Sequence, residues 1–235
     1  MIDFLWPVVP VCDRQRRDVR KEDLLVDGLF RRCHVGRAGA GYDKFPVIAE
    51  HRGYGVRLDK QFIVQLYGCP LQCDYCYVTQ DGVTGDAVRV STRTLTDTFL
   101  TSDCRVFHLM GGAPAFYLSH WRELTCALPS AAVFHSDFLL IEGHYEDDAL
   151  LGMPGLHAVN FKSNAVYQAS NVNYDLMWRN FDRLVACKVD FYVTFTDVPE
   201  AEKMHIVDRI TENYGMRFLR DAFDILIRRY KALED

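Results

Sequence analysis

The segment that decides the fold is Gly68-Cys69-Pro70-Leu71-Gln72-Cys73-Asp74-Tyr75-Cys76-Tyr77. It carries three of the eight cysteines with the spacing C-x3-C-x2-C, directly after the apolar run 62–67. Three thiolates on one short loop can bind three corners of a cubane iron–sulfur cluster. Such clusters normally take four thiolates, so the fourth iron would have no protein ligand and could bind a small chelating molecule.

Zinc binding and disulfide formation are the alternatives for these three cysteines. A structural zinc site normally takes four nitrogen or sulfur ligands, often from two C-x2-C pairs. The sequence has no second C-x2-C pair, and the nearest cysteine upstream is Cys33. Three cysteines in one loop also leave an odd one for disulfide pairing. The ligand count therefore favours the cluster over zinc or a purely structural loop.

A second motif is Val106-Phe107-His108-Leu109-Met110-Gly111-Gly112-Ala113-Pro114, and its Gly111 lies 35 residues after Cys76. A lone Gly-Gly-x-Pro is merely a turn. In this order and at this distance, the two motifs resemble the radical S-adenosylmethionine (radical SAM) superfamily. Tyr75 matches the aromatic residue before the family's last cysteine, and 106–114 is similar to its strand with a Gly-Gly-Glu-Pro-like turn. The nearest resemblance is to relatives of pyruvate formate-lyase activating enzyme.

This resemblance implies a chemistry for the cysteine loop. Cys69, Cys73 and Cys76 would hold a [4Fe-4S] cluster, and the amino and carboxylate groups of S-adenosylmethionine (SAM) would chelate the fourth iron. One electron from the reduced cluster would cleave SAM, and the 5′-deoxyadenosyl radical would abstract a hydrogen atom from the substrate. An electron donor such as flavodoxin or ferredoxin is then expected.

The resemblance also implies roles for residues beyond the cysteines. Gly111 and Gly112 suit a turn where the backbone must approach the methionine part of SAM without a Cβ in the way. Ala113 replaces the family's usual glutamate, so the contribution of that carboxylate must come from elsewhere. The other expected contacts are Tyr75 on the adenine, Pro114 in the turn, Ser136 and Asp137 at the ribose, Lys162 facing SAM or the substrate, and Thr194 near the position of an arginine in activating enzymes.

Several of these residues have a plainer explanation. Tyr75 can pack within its own loop, and a polar pair such as Ser136 and Asp137 can cap a helix. Asn160 stands where activating enzymes carry an aspartate and lacks the expected charge. Other residues are predicted to be structural because they show no ligand spacing or lie in apolar runs: His108, His135, Cys33, Cys104, Cys126 and Cys187.

From Gln61 onwards, apolar runs of strand length alternate with helical patterns, which predicts β/α units and a parallel sheet. The predicted strands are 62–67, 106–110, 132–138, 156–162, 191–198 and 216–219, and the predicted helices are 92–101, 115–128, 173–188, 199–214 and 221–233. Six units match the α/β partial (β/α)6 barrel of the radical SAM core, here 61–235. Residues 1–60 are predicted to form an irregular arm packed on that core, with a short helix over 22–30.

The composition limits the class of protein. A chain of 235 residues with 49% hydrophobic residues fits one large domain. The net charge of −5 does not suggest binding to nucleic acid or to an anionic membrane. The sequence shows neither a transmembrane run nor a signal peptide at its start. Clustered cysteines fit a reducing compartment, so a cytoplasmic location is expected.

Four functions are open on the sequence. The first is an activase that places a glycyl radical on a partner protein, because 173–199 looks most like that subgroup. The second is chemistry on a small molecule, as in 7-carboxy-7-deazaguanine synthase, and the third is modification of a peptide. The fourth, of another class, is a non-catalytic iron–sulfur electron-transfer protein, which would normally have four protein ligands.

Overall fold

The computed structural model describes residues 3–4, 30–36, 48–50, 52–54, 61–66, 68–73, 90–141 and 145–231, with backbone alone beyond Asp221. Eight strands are described: β1 (Asp3–Phe4), β2 (Phe30–Gly36), β3 (Gln61–Leu66), β4 (Val90–Ser91), β5 (Val106–Met110), β6 (Val133–Leu139), β7 (His157–Phe161) and β8 (Phe191–Phe195). The helices are α1 (Thr92–Leu100), α2 (Leu118–Ala127), α3 (Asp147–Leu150), α4 (Asn164–Ala169), α5 (Asp175–Ala186) and α6 (Glu200–Lys231), with a 3-10 helix over Pro114–Tyr117.

Six strands form one sheet in the order β2-β3-β5-β6-β7-β8. The last five are parallel and follow one another in chain order, whereas β2 pairs antiparallel with β3 at the edge. This confirms the predicted α/β class with a parallel sheet and helices. Within the described part of the chain the sheet is open, with β2 and β8 as its edges, so closure into a (β/α)6 barrel stays a prediction.

Helices cover one face of the sheet through large aromatic side chains. The ring of Phe99 from α1 lies 5.7 Å from Phe62, measured between centroids, and Trp121 from α2 lies 5.1 Å from Phe134. Alternate residues of each strand point to this face, since the side-chain period of a strand is two. The apolar runs that identify the strands in the sequence are therefore mainly those that pack against helices.

The opposite face of the sheet carries polar side chains, and part of it is covered by residues 48–50 and 52–54. Ile48 and Ala49 are fully buried against apolar residues at the amino-terminal side of the strands: Val106, Val133, Leu156, Ala158 and Tyr192. Arg52 forms an ion pair with Asp190, the residue before β8. The Tyr54 hydroxyl donates to the same carboxylate at 2.6 Å. These residues thereby close one end of the polar face and leave the carboxyl end to the site.

One predicted strand is wrong. The sixth strand, predicted over 216–219, is helical and belongs to α6, which is interrupted only at Gly215, with φ of 83°. Its Phe218 packs four residues from Tyr214, with ring centroids 5.1 Å apart, and against Phe181 of α5. This packing holds the part of α6 after Gly215 against α5, and the short alternation of Met-Arg-Phe-Leu misled the periodicity argument.

Residues 30–36, which lie in the segment 1–60 predicted to form an irregular arm, form the strand β2. Arg31 and Arg32 interrupt the apolar pattern by which strands are recognised in the sequence. An edge strand nevertheless tolerates charged side chains. The predicted short helix over 22–30 lies outside the described residues except for Phe30, which begins β2. Among the helices that the structure describes, none is both long and apolar enough to cross a membrane.

Candidate functional site

The cysteine loop lies at the carboxyl end of β3, as the sequence predicts. Cys69 is buried and Leu71 is fully buried in the main core, whereas Cys73 is partly exposed. The backbone N–H of Gln72 donates to the Ser170 hydroxyl at 2.8 Å, which ties the loop to the end of α4. The Cys69 side chain is thus held in the core, and the Cys73 side chain is partly exposed. The rest of the motif, including Tyr75 and Cys76, lies outside the described residues.

Cys73 also lies close to the buried Tyr167 of α4. Burial raises the pKa of the Tyr167 hydroxyl, and Tyr174 and Cys73 add to the rise. The Tyr167 hydroxyl donates to the carbonyl oxygen of Leu140 at 3.2 Å. The loop therefore extends from β3 across to the residues that follow β6 and β7.

The glycine turn at Gly111–Gly112 follows β5, the parallel neighbour of β3, and touches the start of the cysteine loop. Gly112 has φ of 57°, and a Cβ on it would lie 2.7 Å from the carbonyl oxygens of both Leu66 and Gly68. Real Cβ atoms essentially never come that close to backbone, so the position accepts glycine alone. The two sequence motifs, far apart in the chain, are in direct backbone contact.

Ala113 and Pro114 complete that turn. Ala113 is fully buried in the main core, and Pro114 begins the 3-10 helix. Proline at the first helical position matches its fixed φ. Because the Ala113 side chain is a buried methyl group, this turn can offer a ligand its backbone but no carboxylate.

Ser136 and Asp137, predicted to contact a ribose together, lie on opposite faces of β6. Ser136 pairs with Leu109 in the register, is fully buried and faces the helices. Asp137 lies on the polar face and is about one-third exposed (33% of its side chain). The structure therefore does not bring the two together, because adjacent strand residues point in opposite directions.

Polar side chains also gather at the carboxyl ends of β7 and β8. Lys162 directly follows β7 and is buried. Asn160 pairs with Thr194 in the register, and the Thr196 hydroxyl donates to Asn160 Oδ1 at 2.9 Å. Lys162 and Thr194 thus lie at neighbouring strand ends, as predicted, with an amide and a second hydroxyl beside them.

A further group on the polar face was not predicted as a site: His108, His135 and Asp137. One potential ligand atom from each lies within 4.8 Å of the others. The two imidazole rings are 4.1 Å apart between centroids, and His108 Nε2 lies 3.8 Å from Asp137 Oδ2. The signal for this group is the repeated Val-Phe-His of β5 and β6, which the parallel register places side by side.

The two turns lie at the carboxyl ends of β3 and β5, and the polar groups of β6, β7 and β8 lie on the same sheet. Its groups are thiols, glycine backbone, imidazoles, a carboxylate, an amide, hydroxyls and a buried ammonium group, which can bind metal and a polar ligand. Comparison with known proteins adds no assignment: no protein-family model matches the chain, and no curated protein matches it either.

Proposed function

We propose that this protein is a radical SAM enzyme, in which Cys69, Cys73 and Cys76 hold a [4Fe-4S] cluster with one iron open to SAM. The observation that supports it best is the backbone contact between the cysteine loop and the Gly111–Pro114 turn at Gly112. In a parallel sheet, groups that act together gather at the carboxyl ends of neighbouring strands. Both motifs meet this condition.

The described residues fit such a cluster and ligand. Cys69 is anchored in the core and Cys73 is partly exposed, so the loop combines a rigid base with an accessible thiol. Gly112 keeps side chains away from the place where the two turns meet. When bound, the cluster and SAM supply reductive cleavage of SAM and removal of a hydrogen atom from a substrate.

The remaining polar residues are proposed to hold SAM and the substrate. Lys162 offers a buried basic side chain, which suits a carboxylate. Asn160, Thr194 and Thr196 offer hydroxyl and amide groups beside it. Asp137 projects from the same face and can accept hydrogen bonds from ribose hydroxyls. The partial barrel belongs to this proposal, with the polar face as its interior.

A protein segment is the proposed substrate, which makes the enzyme activase-like with a glycyl radical enzyme as partner. The supporting observations are the resemblance of 173–199 to that subgroup and the position of β8 at an open edge of the described sheet. A cytoplasmic setting and a flavodoxin or ferredoxin donor belong to the same proposal.

Cluster binding is tested by anaerobic reconstitution, followed by counting iron and sulfide in the full chain. The expected content is about four irons per chain, and less than about one in the variant with alanine at Cys69, Cys73 and Cys76. The matched control is Cys126→Ala, because Cys126 is exposed on α2 and should leave the content unchanged. Zinc in place of iron, or iron that survives the triple replacement, would contradict the proposal.

The activase step is tested separately by electron paramagnetic resonance. The reconstituted enzyme, SAM, a reductant and a candidate glycyl radical enzyme are incubated without oxygen. A glycine-centred doublet on the partner is expected. Cleavage of SAM without that doublet in any tested partner would favour a small-molecule or peptide substrate and reject the activase assignment alone.

A further inference from the structure

The polar face of β5 and β6 carries a second group of side chains that can bind a metal, separate from the cysteine loop. His108 and His135 are both buried, with 6% and 1% of their surfaces exposed. The parallel register places them opposite each other, and Asp137 follows two residues later on the same face of β6. Two imidazoles and a carboxylate on rigid strands are a frequent ligand set for a divalent transition metal.

The hydrogen bonds of the two histidines determine which ring nitrogen can bind a metal. His108 Nδ1 donates to Gln61 Oε1 at 2.7 Å, and His135 Nδ1 donates to the Leu156 carbonyl oxygen at 2.6 Å. Both partners are carbonyl oxygens, which only accept hydrogen bonds, so each Nδ1 must carry the hydrogen. In the neutral rings, Nε2 therefore carries the lone pair. Metal-binding histidines characteristically donate their other N–H to a carbonyl, carboxylate or water.

The space between His108 and Asp137 suits a bound cation. His108 Nε2 is buried and has no hydrogen-bond partner, and at 3.8 Å from Asp137 Oδ2 it is too far for a hydrogen bond. A lone pair facing a carboxylate is unfavourable unless a positive charge lies between them. Two ligands about 2.1 Å from one tetrahedral ion are roughly 3.4 Å apart, so small side-chain shifts complete the site.

We propose that His108, His135 and Asp137 bind one divalent transition cation of the Zn²⁺, Fe²⁺ or Co²⁺ class. Three protein ligands leave at least one coordination position for water or a substrate oxygen. Asp137 is partly exposed, so solvent can reach that position.

The test is a Co²⁺ titration of the full chain with alanine at Cys69, Cys73 and Cys76, followed by visible absorption and equilibrium dialysis. About one Co²⁺ per chain is expected, with the absorption of a nitrogen- and oxygen-bound ion. His108→Gln, His135→Gln and Asp137→Asn should each weaken binding by at least about tenfold, and Gln61→Ala by about 10- to 100-fold.

His157→Gln is the matched control. His157 is just as buried, but it belongs to the helix-covered face among Trp121, Phe134 and Phe138. Its replacement should leave Co²⁺ binding unchanged, whereas an equal loss in a folded His157→Gln chain would overturn the site. Absence of Co²⁺ binding in the folded cysteine variant, or binding that survives the replacement of His108 and His135, would also overturn it.

A second measurement covers the case in which the cysteine replacements prevent folding. The chain with its cysteines is then compared with the same chain carrying His108→Gln and His135→Gln, and bound Co²⁺ is counted in each. A difference of about one ion per chain supports the site, and equal counts reject it.

Discussion

Replacing Gly112 with alanine tests the contact between the cysteine loop and the glycine turn. The left-handed φ of 57° disfavours any residue with a Cβ by roughly 1 kcal/mol. The new Cβ would also lie 2.7 Å from two carbonyl oxygens, of Leu66 and Gly68, so backbone must move. Such overpacking costs a further 1–3 kcal/mol, approximately, which gives a total of about 3 kcal/mol.

The assay for this variant is urea unfolding followed by circular dichroism, with Gly152→Ala as the control. Gly152 has a similar φ of 71°, but a Cβ there meets nothing within 4 Å. The control therefore carries only the conformational cost, roughly 1 kcal/mol. The difference between the two variants isolates the clash with the cysteine loop.

A second control separates loss of stability from damage to the site. A Cβ on Gly155 would lie 2.0 Å from the Phe134 carbonyl oxygen, so Gly155→Ala should also destabilise the fold, but away from the cysteine loop. After reconstitution, Gly112→Ala should hold less iron than Gly155→Ala. If Gly112→Ala is as mild as Gly152→Ala, or holds as much iron as Gly155→Ala, the reasoning about the contact is refuted.

Three further predictions concern the scaffold. Burial lowers the pKa of His157 to about 4, below its value in the unfolded chain. The free energy of unfolding should therefore fall by up to roughly 3 kcal/mol as the pH drops from about 6.5 to about 4. In urea titrations at several pH values, His157→Gln should flatten that dependence. Asp190→Asn removes the ion pair with Arg52 and should cost about 1–2 kcal/mol at low salt and less at high salt; an effect that salt leaves unchanged would contradict the electrostatic account. Phe218→Ala should cost about 2 kcal/mol in thermal or urea unfolding because the ring packs on Phe181, and a neutral result would argue against the helical placement of 216–219.

Most of the sheet could be predicted because the residues of parallel strands that pack against helices appear in the sequence as apolar runs. The run 106–110 matches β5 residue for residue. The short stretch 216–219 could not be assigned by periodicity, because four residues fit both a strand and one turn of helix. Its state depends on Phe218 contacting Phe181 and Tyr214, which is tertiary packing.

The parts of the site that follow strand ends were predictable, and the parts that depend on strand alignment were not. Gly68, the residue before Cys69, and Gly112 come together because they follow neighbouring parallel strands. Grouping Ser136 with Asp137 ignored the alternation of faces along a strand. The pairing of His108 with His135 depends on the register between β5 and β6. That register cannot be read from the sequence of either strand alone.

The most direct test of the central claim is the formation of 5′-deoxyadenosine by the reconstituted, reduced protein after addition of SAM without oxygen. We predict that the full chain forms it and that the chain with alanine at Cys69, Cys73 and Cys76 does not. Iron-loaded protein that leaves SAM intact, or equal product from the two chains, would contradict the assignment of the cysteine loop to radical SAM chemistry.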